Sequence, residues 1–160
     1  MKLSMMCTGI LGMASMMFAG QANAASADAN SLQKVITALT ITTVSNLDFG
    51  TAVSGDGQKT VAADVAENAE NASFAIAGEP LYNYAIQLPA DNIVVMRKGA
   101  GGSADTEIMV NTFDSYPMGL GMLDASGAST LYVGATRNAL TATQEPGDYV
   151  GTFTVNVVYP

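Results

Sequence analysis

The stretch 149–159 constrains this chain more than any other. Its odd positions are Tyr149, Gly151, Phe153, Val155, Val157 and Tyr159, and its even ones are Val150, Thr152, Thr154, Asn156 and Val158. Side chains leave a strand on alternate faces, so the segment reads as a strand that lays aromatic and branched residues into a core and turns Thr and Asn outward. The sequence stops one residue later, at Pro160. This predicts a strand at a sheet edge, with one flank of its ladder unpaired and the core beside it open.

The rest of the chain has the same texture. Candidate strands cover 33–44, 47–50, 58–65, 72–77, 82–88, 92–96, 106–113 and 129–135, with 148–159 the last. Turn-forming groups at 54–57, 78–80, 88–91, 124–127 and 145–148 separate them. Pro80, Pro89, Pro117 and Pro146 fall between strands, where a missing donor costs no ladder bond. No amphipathic run of helical period exceeds about two turns. Only 62–71 could be a helix, and its Ala, Glu and Asn content suits an exposed turn equally. Short strands at this spacing predict an all-β sandwich, with no internal repeat and no second domain.

Charge and chemistry narrow the function. The 160 residues hold 14 acidic and 6 basic side chains, no His and no Trp, for a formal charge of -8. A chain this acidic cannot neutralise phosphates, so nucleic acids and polyanionic membrane surfaces are set aside as partners. Without imidazole, Ser-His-Asp and Cys-His catalysis and most zinc sites are excluded. The expectation is a protein with no catalytic residues, no cofactor and no metal.

Residues 1–24 read as a secretory signal peptide: Lys2, then an apolar run to Phe18, then Ala22-Asn23-Ala24 as a small-x-small cleavage site. The mature chain is expected to begin at Ala25. The single Cys, Cys7, would leave with the signal, in a context that fits no lipoprotein processing site. The exported product would then have no thiol, disulfide or lipid anchor, and no stretch of the roughly 20 apolar residues a membrane helix needs. Exported domains often reinforce a small core with disulfides. This one must bury enough apolar surface alone, or borrow some from another chain.

The terminal residues carry a resemblance. Tyr159 is penultimate, Gly147 is fourteenth from the end, and Tyr149, Gly151, Phe153, Val155 and Val157 alternate between them. In this the chain resembles the subunits of chaperone-usher fimbriae. It also resembles a family of small secreted bacterial β proteins of undefined function, through Leu39-Thr40-Ile41-Thr42, Leu47-Asp48-Phe49-Gly50-Thr51, 74–80 and Leu131-Tyr132-Val133-Gly134-Ala135.

The fimbrial resemblance implies an immunoglobulin-like β-sandwich over 37–160 that lacks its last strand. It implies a periplasmic chaperone that lends one, an outer-membrane usher, and neighbouring copies of the same chain as partners, with a place at the cell surface in adhesion or biofilm formation. The segment 147–159 would be the interaction strand. Residues 25–36 would be an extension that donates a strand to the next copy, by β-augmentation. In that extension Ala25, Ala27, Ala29 and Val35 share one face, while Leu32 and Ile36 fall on the other, so its register is open or a bulge intervenes. The chain departs from many fimbrial subunits in having no intradomain disulfide. The alternative is a self-complete secreted or outer-surface domain whose leading segment folds into its own sheet and which binds a glycan or protein.

Other motifs have plainer readings. Ser31-Leu32-Gln33-Lys34 matches S-x-x-K, but the further Ser, Asn and Lys elements of that chemistry are missing. The glycines of 99–102 precede a predicted strand rather than a helix, which fits a hairpin loop and not a phosphate cradle. Asp56, Asp124 and Asp148 sit near Gly without calcium-loop spacing and read as turn residues. Asn71-Ala72-Ser73 fits a glycosylation acceptor, a pattern frequent by chance, and Arg97-Lys98 reads as a solvated basic pair.

Overall fold

The computed structural model describes residues 25–160; the proposed signal peptide lies outside them. Among the described residues there is no helix, and every paired strand is antiparallel. The chain is all-β, as its short alternating segments predict. In sequence order the strands are β1 (Thr40–Ser45), β2 (Lys59–Val61), β3 (Ala72–Ala77), β4 (Asn83–Gln87), β5 (Val94–Arg97), β6 (Glu107–Tyr116), β7 (Leu120–Met122), β8 (Ala128–Arg137) and β9 (Asn156–Val158).

Two sheets result. The larger has the order β1-β3-β8-β6-β5, with β2 beside the far end of β8; the smaller is β7-β4-β9. Strand β8 organises the larger sheet. Its first half pairs with β3 (Ala72↔Val133 to Ala77↔Ala128), its last three residues with β2 (Val61↔Ala135), and its other flank with β6. A bulge between Asn111 and Asp114 interrupts that last pairing, and Thr112 takes a positive φ of 52° there, held by a 2.7 Å bond from its amide to Asp91 Oδ1.

The core has two lobes. One gathers Phe74 and Ile76 of β3, Leu131 and Val133 of β8, Tyr84 of β4, and Val155, so it joins both sheets. The other holds Phe49, Val61, Val94, Val110 and Ala135. Leu47, Phe113 and Phe153 pack against both lobes. Tyr84 is fully buried, its hydroxyl 2.9 Å from Ser129 Oγ, and burial pushes its ionisation above the usual phenol range. Its register partner is Gly121, where any Cβ would run into the Tyr84 ring. That overlap explains a glycine inside a strand.

The sequence boundaries need correction at several places. The segment read as one strand over 33–44 begins its ladder only at Thr40, and 47–50 forms none. Strand β7 was not expected: three residues between glycine and a turn give no period to read. The stretch 62–71 is a loop rather than a helix. Asn71, buried within it, donates Nδ2 to the carbonyls of Ala63 and Ala66 at 3.0 and 2.9 Å. The acceptor amide of Asn71-Ala72-Ser73 is therefore an interior clamp, inaccessible to glycosylation. The glycines of 99–102 do make the loop between β5 and β6, with positive φ at Gly99, Gly101 and Gly102.

Strand 148–159 is the largest revision. Only Asn156–Val158 is a ladder strand, and before it the chain touches the larger sheet by one bridge, Arg97↔Val150. The alternation persists regardless: Phe153, Val157 and Tyr159 are half-buried, Val155 is buried, and Thr152, Thr154, Asn156 and Val158 are exposed. The segment leaves the β5 edge at Val150 and joins β4 from Asn156 onward. Gly151 marks the crossing, where a Cβ would sit 2.8 Å from the Val95 carbonyl oxygen.

Candidate functional site

Two stretches of chain face each other across a gap, and each exists because an edge is left unpaired. One is β1 and its continuation to Ser54; the other is 145–155, leading into β9. Among the described residues β1 pairs only with β3, β9 only with β4, and no main-chain hydrogen bond joins 41–53 to 145–158. The gap is closed at both ends. At one, Tyr159 Oη donates to the Thr37 carbonyl at 2.9 Å and accepts from the Glu79 amide at 2.7 Å, while its ring packs edge-on against Tyr82. At the other, Ser54 Oγ donates to the Gln144 carbonyl at 2.6 Å and the Gly55 amide to the Thr141 carbonyl at 2.8 Å.

Between these closures lie two hollows. The smaller, of about 130 Å³, has Thr43, Ser45 and Asn46 on one lip, Gly151 to Phe153 on the other, and Ala72 and Phe74 below. Phe153 meets Phe74 edge-on at 6.2 Å and Phe113 at 5.2 Å, so the floor is aromatic and apolar. The larger, of about 550 Å³, has Asp48 to Ser54 on one lip and Gln144 to Tyr149 on the other.

The second lip of the larger hollow is rigidly tied. Tyr149 Oη lies 2.8 Å from the carbonyls of Asp105 and Glu145 and accepts from Gln144 Nε2 at 2.8 Å. Thr143 and Thr141 donate their hydroxyls to Asp105 Oδ1 at 2.6 and 2.9 Å, which holds that carboxyl below the usual range.

Arg137 lines the larger hollow. Strand β8 carries Leu131, Val133 and Ala135 into the core on successive odd positions, and the same period places Arg137 inward. It is 4% exposed; its Nη1 donates to the Asn138 carbonyl at 3.0 Å, and its buried Nε has no partner. Lys59, Arg97 and Lys98 each pair with a glutamate at 2.6 to 2.8 Å, and Arg137 pairs with no carboxylate among the described residues. Sequence reasoning passed over it. The signal was there, a cation closing a row of three apolar residues at period two.

The residues singled out from the sequence divide into two sets. Tyr149, Gly151, Phe153, Val155, Val157 and Tyr159 follow one another along the second lip and into β9, and Gly147 lines the larger hollow with a positive φ of 148°. Ala25, Ala27, Ala29 and Leu32 belong to 25–34, where no strand forms and every residue is exposed; Val35 is exposed too, just past that stretch. Leu32 and Val35 are 91% and 83% exposed, unusual for large aliphatic side chains. Asp56 and Asp124 act as turn anchors. Asp56 Oδ2 accepts from the Val53 amide, and Asp124 Oδ1 accepts from the Ser126 hydroxyl and amide and the Ala128 amide. Among the described residues no three His, Cys, Asp or Glu side chains gather as a metal group, and no helix is long and apolar enough to cross a membrane.

No curated protein and no solved structure matches the chain. One family model does, over residues 39–159, which takes in both lips of the gap and both core lobes. The chain belongs to the DUF4402 family, a domain of unknown function.

Proposed function

We propose that this protein is a structural subunit of a bacterial surface fimbria, assembled by donor-strand exchange with a periplasmic chaperone and an outer-membrane usher. The observation that carries the reading is the gap itself: two facing edges without main-chain bonds between them, over an apolar floor. A strand laid in that gap would find amide and carbonyl partners on its flanks and pockets for alternate side chains. Each large aliphatic side chain so buried contributes about 1.5 to 3 kcal/mol.

On this reading the fold is an immunoglobulin-like sandwich short of one strand, and the donor is the extension 25–36 of the next copy. That extension forms no strand of its own and holds Leu32 and Val35 out in solvent. The subunit catalyses nothing and carries no cofactor; its work is adhesion or biofilm structure.

The test is electron microscopy of the mature chain and of a form lacking 25–34, each produced with the chaperone and usher. Thin fibres from the first and none from the second are expected, with both forms equally captured by the chaperone. A mature chain that stays monomeric, with its extension protected from proteolysis inside its own sheet, would overturn the reading in favour of a self-complete domain.

A further inference from the structure

Arg137 poses a physical problem that the fold leaves open. A buried cation with no counter-ion is costly, and an anion that reaches it relieves that cost more than a neutral acceptor does. Arg137 lines the 550 Å³ hollow at the Ser54–Gln144 end of the gap, so the site already described gives an anion a way to it. Asp48, Glu145 and Asp148 on the lips do not supply that anion. Asp48 Oδ1 accepts from the Gly50 amide at 2.7 Å, Glu145 Oε2 is taken by Lys98 Nζ at 2.8 Å, and Asp148 is exposed and out of salt-bridge reach. The charges of such exposed carboxylates are screened by water, whereas that of Arg137 is not.

The extension 25–36 contains one acidic residue, Asp28. Fully extended, its twelve residues span about 40 Å, and the first lip from Thr43 to Ser54 is twelve residues long. We propose that Arg137 receives the Asp28 carboxylate of a second copy's extension, an ion pair that rests on the strand-exchange reading and fixes the direction of the incoming strand. Asp28 at the Arg137 end places Leu32, four residues on, toward the smaller hollow floored by Phe74 and Phe153. The pair acts as a register mark, because a shift of one residue would move Asp28 to the opposite face and leave both charges unmatched.

The experiment measures binding of a synthetic peptide of residues 25–36 to the purified mature chain, beside the same peptide carrying Asp28→Asn. The Asn peptide is expected to bind at least tenfold more weakly, and Arg137→Gln in the protein is expected to abolish that difference. Arg137→Glu with an Asp28→Lys peptide should recover binding. If Arg137→Gln does not fold, the peptide arm still decides, since it alters only the ligand. Equal binding of the two peptides would overturn the ion pair and leave strand exchange standing. Absence of binding by either peptide would overturn both. Free acetate that displaces the Asp peptide but not the Asn peptide would support Arg137 as the carboxylate receptor, whereas equal displacement would count against it.

Discussion

The Tyr159 hydroxyl binds the Thr37 carbonyl at 2.9 Å, closing 122 residues of chain onto themselves. The same oxygen accepts from the Glu79 amide at 2.7 Å, so one phenol ties β9, the approach to β1 and the turn after β3. Tyr159→Phe keeps the ring contact with Tyr82 and removes both bonds. It is expected to cost about 1 to 3 kcal/mol by urea denaturation, with the amide of Glu79 becoming one of the faster-exchanging protons of its turn.

Asn71 makes a comparable demand inside the 62–71 loop. Its Nδ2 serves two carbonyls and its Oδ1 accepts from the Asn68 amide at 3.1 Å. Asn71→Ala strands the Ala63 carbonyl in the interior and unpairs the Ala66 carbonyl and the Asn68 amide, and a loss of about 2 to 4 kcal/mol is expected from the denaturation midpoint. Asn71→Asp should be no milder, since a carboxylate cannot donate to either carbonyl.

Two glycines mark places where backbones nearly touch. A Cβ at Gly134 would collide with the Val61 carbonyl oxygen, and one at Gly151 would come within 2.8 Å of the Val95 carbonyl oxygen. Both obstacles are main chain, so neither can rotate away. Alanine at either position is expected to lower stability by about 1 to 3 kcal/mol. The two should differ in the peptide-binding assay, with Gly151→Ala weakening capture because it displaces the second lip and Gly134→Ala leaving it unchanged.

Acid should weaken the fold in a definite window. Asp105 is held low by the hydroxyls of Thr143 and Thr141, Glu107 by its bond from Arg97, and Asp124 by the Ser126 hydroxyl. A carboxyl whose folded value lies below its unfolded one stabilises the fold above about pH 4, and that contribution disappears as pH falls through the folded value. The urea midpoint is therefore expected to be flat between about pH 5 and 7 and to drop below about pH 4. Asp124→Asn should flatten the acid limb. Tyr84, raised by burial, works in the other direction: its contribution holds below about pH 10 and is lost above it.

Much of this was legible in the residues. Ala72–Ala77 reads as a strand because Phe74 and Ile76 alternate with small residues, and that is its span in the fold. The terminal alternation from Phe153 to Tyr159 also survives as a burial pattern. The sequence could not say that the first part of that segment would go without a ladder, because periodicity reports which face a side chain takes and not whether a neighbour pairs with it. Residues 47–50 mislead for the same reason. Phe49 is buried as its hydrophobicity demands, yet Asp48 bonds to Glu70 across a loop rather than to a partner strand. Arg137 is legible only through its place in a period, since a lone basic residue carries no signal of burial until the row Leu131, Val133, Ala135 points it inward.

Phe153 packs against both lobes of the core. One ring thus couples the two halves of the interior, and loosening it exposes both at once.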